Sequence, residues 1–225
     1  MSTQGVFVTV NASGAVTGAS LGQVVMVVDV IDMSTTAEAA WDAGAVAVLG
    51  ASPDSCRAPV ELDPGRMGRE AGEMAVAKGT DVVLVSEPRV GSDEERRARA
   101  KKVLAGIEAA GARIGAVLPN IGAETPKLAD LKGRVVVIVS DTGGVAYDAA
   151  VNAGAPGVVT GTVARTMAKR GQEPAKAAAR RGVELANRLG TGITVVAASA
   201  NSLEDILAAE YIAREILALG FNSLK

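Results

Sequence analysis

The chain has 225 residues with a formal net charge of −2 and an ordinary charged fraction of 21%. That length suits one domain able to bury a large core without disulfides or metals, and the small charge gives no global field toward nucleic acid or an anionic membrane. The chain has no histidine, which excludes Ser-His-Asp and Cys-His catalysis, His-containing zinc sites and any imidazole base.

In chain order, the first apolar run is Val6 to Val10, followed by a turn-rich connection from Asn11 to Gly22 that leaves room for antiparallel pairing at a sheet edge. Val24 to Ile31 is a second strand, and TTAEAAWDA from Thr35 to Ala43 a helix. A third strand, Val46 to Leu49, leads into Ser52 to Gly65, whose prolines and lack of period predict a surface loop. A helix from Arg66 to Lys78, a strand from Val82 to Val85, a helix from Asp93 to Ala110 and a strand from Ile114 to Leu118 follow. Then come the strand Val135 to Val139, a helix from Gly144 to Ala153, the short strand Gly157 to Val159, and an Ala- and Arg-rich helical stretch from Thr162 to Leu189 that Pro174 breaks near Gly171. The strand Ile193 to Ala197 and a helix from Leu203 to Leu219 close the series.

Several strands are continuously apolar, as in RVVVIVS, which means burial on both faces. Gly44, Gly79, Gly111, Gly154, Gly190 and Gly220 stand where left-handed helix ends want glycine, and Ser34, Ser92 and Ser202 where N-caps belong. The expected fold class is α/β, a single three-layer domain over residues 1–225 with a mainly parallel open sheet. No internal repeat or interdomain linker interrupts it. The start MSTQGVFVTV lacks a charged n-region and apolar core, no apolar run approaches a membrane span, and Cys56 is the only cysteine; the expected compartment is the cytoplasm.

In such a sheet, ligands bind beyond the carboxyl ends of the strands. The residues there are Asp29, Asp32, Ser34, Thr35 and Thr36 after the second strand, Glu87 and Arg89 after the fourth, and Asn120 after the fifth. Ser140, Thr142, Gly143 and Gly144 follow the sixth, and Glu204 and Asp205 the eighth. Carboxylates without imidazole or thiolate suit Mg²⁺, and hydroxyls with Gly-rich helix starts suit a phosphate. Together they predict a Mg²⁺-assisted site for a small phosphorylated or anionic metabolite, with neither nucleic acid nor membrane as partner. The same features have plainer uses: Ser34, Thr35 and Asp205 suit helix caps, and Gly143-Gly144 suits a tight turn. Asp29 ends a buried apolar strand, where an unpaired carboxylate is costly, so it marks either a functional group or an ion pair. The basic run Arg96 to Lys102 and the group Arg165, Lys169 and Arg170 read as solvated helix faces, and Cys56 as an inert thiol. Ala-rich faces at Ala175 to Ala186 and Ala208 to Leu219 suggest a homodimer.

Four segments carry a family resemblance. VVDVIDMSTTAEAAWDAGA, SEPRVG, AVLPNIGAETPKLADLKGRVVVIVSDTGG and ITVVAASANSLEDILAAEYIAREIL resemble, in order and spacing, the motifs of the 2-phosphosulfolactate phosphatase family of coenzyme M biosynthesis. The resemblance runs from Val24 onward, with no counterpart for Ser52 to Lys78. It implies a Mg²⁺-dependent phosphatase of a small acidic phosphate ester. Asp29, Glu87, Glu204 and Asp205 would be its metal or acid/base carboxylates, and Asn120, Ser140 and Gly143 its phosphate pocket. The chain departs from the family at Asp32, where the family has Arg, and at Thr142-Gly143-Gly144, where it has Asn-Gly-Thr. Asp29 and Asp32 would then hold the metal or receive the phosphoryl group, with Glu87 as a further catalytic carboxylate, and Asp29, Glu204 and Asp205 form the expected metal set. Two alternatives stand beside this: a non-catalytic relative that binds an anion or a protein, and a haloacid-dehalogenase-like phosphatase with Asp29 as nucleophile. The second alternative wants an Asp where the chain has Ile31.

Overall fold

The computed structural model describes residues 5–221. Among the described residues, eight strands form where the apolar runs lie: β1 (Val6–Val10), β2 (Val24–Val28), β3 (Ala47–Ala51), β4 (Val82–Ser86), β5 (Ile114–Pro119), β6 (Val135–Val139), β7 (Val158–Gly161) and β8 (Ile193–Ala197). All pair in parallel, and they divide between two four-stranded sheets, ordered β1-β8-β2-β7 and β3-β6-β4-β5. The class is therefore α/β with parallel sheets, as the continuous Val runs require. No helix among the described residues is long and apolar enough to cross a membrane.

The helices are α1 (Asn11–Ser20), α2 (Ser34–Asp42), α3 (Pro64–Lys78), α4 (Asp93–Arg99), α5 (Lys101–Ala109), α6 (Gly143–Asn152), α7 (Glu173–Leu189) and α8 (Leu203–Ala218), with a 3₁₀ turn at Gly122–Lys127. α2 and α6 touch strands of both sheets and so join them. The faces of β2 separate two cores. Val25 and Val27 belong to a large cluster shared with the second sheet, whereas Val24, Met26 and Val28 pack with α7 and α8.

Several expectations change. β1 pairs in parallel with β8, and the segment after it is α1, not a turn-rich link. Gly14 and Gly18 make that helix poor in propensity, yet they let it lie tightly on the sheet: a Cβ at Gly18 would stand 2.7 Å from the Thr194 side chain. The helix expected over Asp93 to Ala110 breaks at Ala100, because the Asp54 carboxylate accepts the Lys101 and Lys102 amides at 2.8 and 3.1 Å and caps α5. Residues 162–172 are irregular, and only Glu173–Leu189 is helical. Lys169 in that segment is no solvated face. With Arg181 it neutralises Glu38, which is 1% exposed, at 2.9 and 2.7 Å, and so holds the segment to α2.

The alanines expected at a dimer surface, Ala175, Ala178, Ala179, Ala186, Ala208, Ala209 and Ala213, are buried in the chain's own core. The expected left-handed glycines all have positive φ.

Candidate functional site

Parallel pairing brings the carboxyl ends of β2, β7 and β8 to one edge of the first sheet and those of β4, β5 and β6 to one edge of the second. Asp29 leaves the end of β2 and joins the two. Its Oδ2 accepts the Thr142 hydroxyl at 2.8 Å and the Gly143 amide at 2.6 Å, and its Oδ1 accepts the Asp32 amide at 3.1 Å. The carboxylate thus sits on the N-terminus of α6, where the helix dipole favours negative charge. Burial, against the help of Thr142, pushes its pKa up to about 6, with Asp205 and Asp32 adding repulsion. Gly143 must be glycine here, since a Cβ would lie 2.4 Å from Asp29 Oδ2.

Much of the expected phosphate pocket is engaged within the fold. Ser140 Oγ accepts the Gly144 amide at 2.8 Å, so the first amides of α6 are bonded to Asp29 and Ser140. Ser34 is not an N-cap. It lies in the first turn of α2, where its Oγ accepts the Asp29 amide and donates to the Val27 carbonyl, both at 3.0 Å. The Thr35 hydroxyl donates to the Val30 carbonyl and lies 2.9 Å from that of Thr162. Buried Asn120 accepts from Thr36 and donates to the Asp32 carbonyl, tying the end of β5 to α2.

Of the expected metal set of Asp29, Glu204 and Asp205, the fold brings Asp205 close enough to Asp29 to raise its pKa. Asp205 is buried, and its Oδ1 accepts the Val30 amide at 2.8 Å, while Glu204 points outward and is exposed. Among the described residues no group of three acidic or thiol side chains is placed to hold a metal ion. Mg²⁺ often takes only one or two carboxylates and completes its shell with substrate phosphate and water. Asp32 and Glu87, with 36% and 22% of their side chains exposed, fit that lighter role.

These two carboxylates follow strands of different sheets and share Arg89, at the strand ends where ligands of parallel sheets bind. Arg89 Nη2 lies 2.8 Å from Asp32 and its Nε 3.8 Å from Glu87. Across from it, Arg99 Nη2 meets both Asp141 oxygens at 2.7 Å. Asp141 precedes Thr142, so Arg89, Asp32, Asp29, Thr142, Asp141 and Arg99 form a connected rim. Glu87 stands among them: burial raises its pKa, Arg89 lowers it, Asp32 raises it and Arg99 lowers it, the net shift being upward.

The arginines are the part that the sequence obscured. Arg96 is 5% exposed and donates to the Pro88 and Arg89 carbonyls at 3.0 and 3.3 Å, fixing the turn that carries Arg89. The run from Arg96 to Lys102 is therefore partly structural and partly site-facing. Its signal was a capping box at Ser92 and Glu95, which fixes the start of α4 and with it the faces of Arg96 and Arg99. The Cys56 thiol is pushed up by burial and by Asp141 and Asp148, in keeping with an inert thiol.

No family model matches the chain, and no curated protein does.

Proposed function

We propose that the site formed by Asp32, Glu87, Arg89 and Arg99 binds a small acidic phosphate ester and hydrolyses it, as the resemblance to 2-phosphosulfolactate phosphatases implies. The observation that carries this is a pair of guanidiniums on either side of Glu87, Arg89 held by Asp32 and Arg99 by Asp141, both close enough to lower the Glu87 pKa. Arg89 lies against Asp32, the position where the family has its own Arg, so a guanidinium returns to that place from β4. Guanidinium forks suit phosphate and other oxyanions.

Both arginines are held loosely enough to change partner. The Arg89–Asp32 pair is 44% and 36% exposed, and such pairs contribute only about 0–1 kcal/mol. Arg99 Nε is buried and has no hydrogen-bond partner, a donor left for an acceptor to satisfy.

In this reading Arg89 and Arg99 orient the ester and spread the charge on its phosphoryl oxygens. Glu87, raised by burial, takes a proton from the attacking water. The water oxygen bonds to phosphorus, the ester P–O bond breaks, and the leaving alcohol takes its proton from solvent. Mg²⁺ held by Asp32 and Glu87 would supply further neutralisation of phosphoryl charge. Asp29 and Thr142 link the Asp32 side of the site to the Asp141 side.

The test is phosphate release from a panel of small phosphate esters, phosphosulfolactate among them, with Mg²⁺ and with chelator. Turnover that needs the metal, and that falls about 10²–10⁴-fold in Glu87→Gln, is expected. No release from any ester, by protein with a cooperative unfolding transition, would contradict hydrolysis.

A second reading has its own observation. Asp29, Ser34, Asn120 and Ser140 spend their polar atoms inside the fold, so a protein that binds the anion without turning it over is favoured if phosphate binds and no ester is cleaved. The haloacid-dehalogenase-like alternative needs an accessible Asp29, which is 2% exposed and has both oxygens engaged.

A further inference from the structure

α8 is apolar on two sides. Its inner stripe, Ala208, Ala209, Ile212, Ala213 and Ile216, packs on the first sheet. Its outer stripe carries Leu203, Leu207 and Leu217, which are 65%, 55% and 46% exposed. A helix apolar on opposite sides is ordinarily covered on both.

The outer stripe also says what covers it. Between Leu207 and Leu217 stand Glu210 and Arg214, both exposed, and neither has an ion-pair partner among the described residues. The order Leu207, Glu210, Arg214, Leu217 has spacings of three, four and three, so it is the same read in either direction about residue 212. Two copies of α8 laid antiparallel, with a two-fold axis level with residue 212, place each Leu207 against the partner's Leu217 and each Glu210 against the partner's Arg214. Such an isologous contact is self-complementary in shape and in charge.

We propose that the chain forms a two-fold dimer through the outer face of α8, registered by reciprocal Glu210–Arg214 pairs. Nothing in this rests on the chemistry of the candidate site.

Charge reversal tests the register as well as the association. Glu210→Arg sets Arg against Arg across the axis, and Arg214→Glu sets Glu against Glu. Sedimentation of the full chain at micromolar concentration should show a dimer for the wild type. Each single variant should have its dimer Kd raised at least about tenfold. An equimolar mixture of the two variants should dimerise again, because both cross-axis pairs are then opposite in sign, and the double variant should dimerise on its own. Both side chains are exposed, so each variant should still unfold cooperatively, with its midpoint lowered only by as much as the lost association accounts for. A monomeric wild type, a dimer indifferent to either reversal, or variants that stay monomeric when mixed would each overturn the proposal.

Discussion

Burial pushes the Asp29 carboxyl up to about 6 from an ordinary 3.8, while three donors steady the anion. Between roughly pH 4 and 6 the folded chain keeps a proton that the unfolded chain has released. This group's contribution to stability is therefore greatest below that window, falls by about 3 kcal/mol as pH rises through it, and is flat above. Asp29→Asn has no proton to lose, so the stability difference between wild type and variant should shift by about that amount between pH 3 and pH 7 in urea unfolding. A pH-independent difference would mean that the carboxyl titrates normally. Asp29 was legible because a charge at the end of an apolar strand is conspicuous. The roles of Ser34, Asn120 and Ser140 were not, since a hydroxyl or amide that serves a ligand and one that serves the backbone have the same residue type and spacing. Only the positions of their partners, Val27, Asp32 and Gly144, separate the two uses.

Among the elements, the strands were the most legible, because both-face burial writes itself as unbroken Val and Ile. Helices built on close approach were the least. α1 was hidden by Gly14 and Gly18, and the break between α4 and α5 depends on Asp54, far away in sequence. The pairing of α3 with α5 shows the same economy of side chains. A Cβ at Gly106 would stand 2.2 Å from the Gly65 carbonyl oxygen, and one at Gly68 2.0 Å from that of Val103. Alanine is the better helix former by about 1 kcal/mol, yet Gly106→Ala should force the two helices apart and cost about 1–3 kcal/mol. Thermal unfolding should show the midpoint lowered by several degrees; an unchanged or raised midpoint would show that α5 can shift without loss.

For the whole molecule, the alternation of strand and helix announced the class and the parallel pairing, but not the division into two sheets. Which strands are neighbours depends on crossovers, and α2 and α6, which each link one sheet to the other, read like any other connecting helix. That division also shapes the candidate site. Asp29 and Asp32 come from one sheet, Glu87, Arg89 and Asp141 from the other, so a list of residues following strands names its parts without showing that they meet. Arg99 was read as a charge on a helix face, and its reach to Asp141 appears only in three dimensions. Both functional readings require this site to hold an oxyanion. The most direct measurement is calorimetric titration of inorganic phosphate into wild type, Arg89→Ala and Arg99→Ala. Binding to the wild type, weakened about tenfold or more in each variant with the fold unchanged, is the predicted result. Absent binding, or equal affinity in all three proteins, would contradict the assignment of these residues as an anion site.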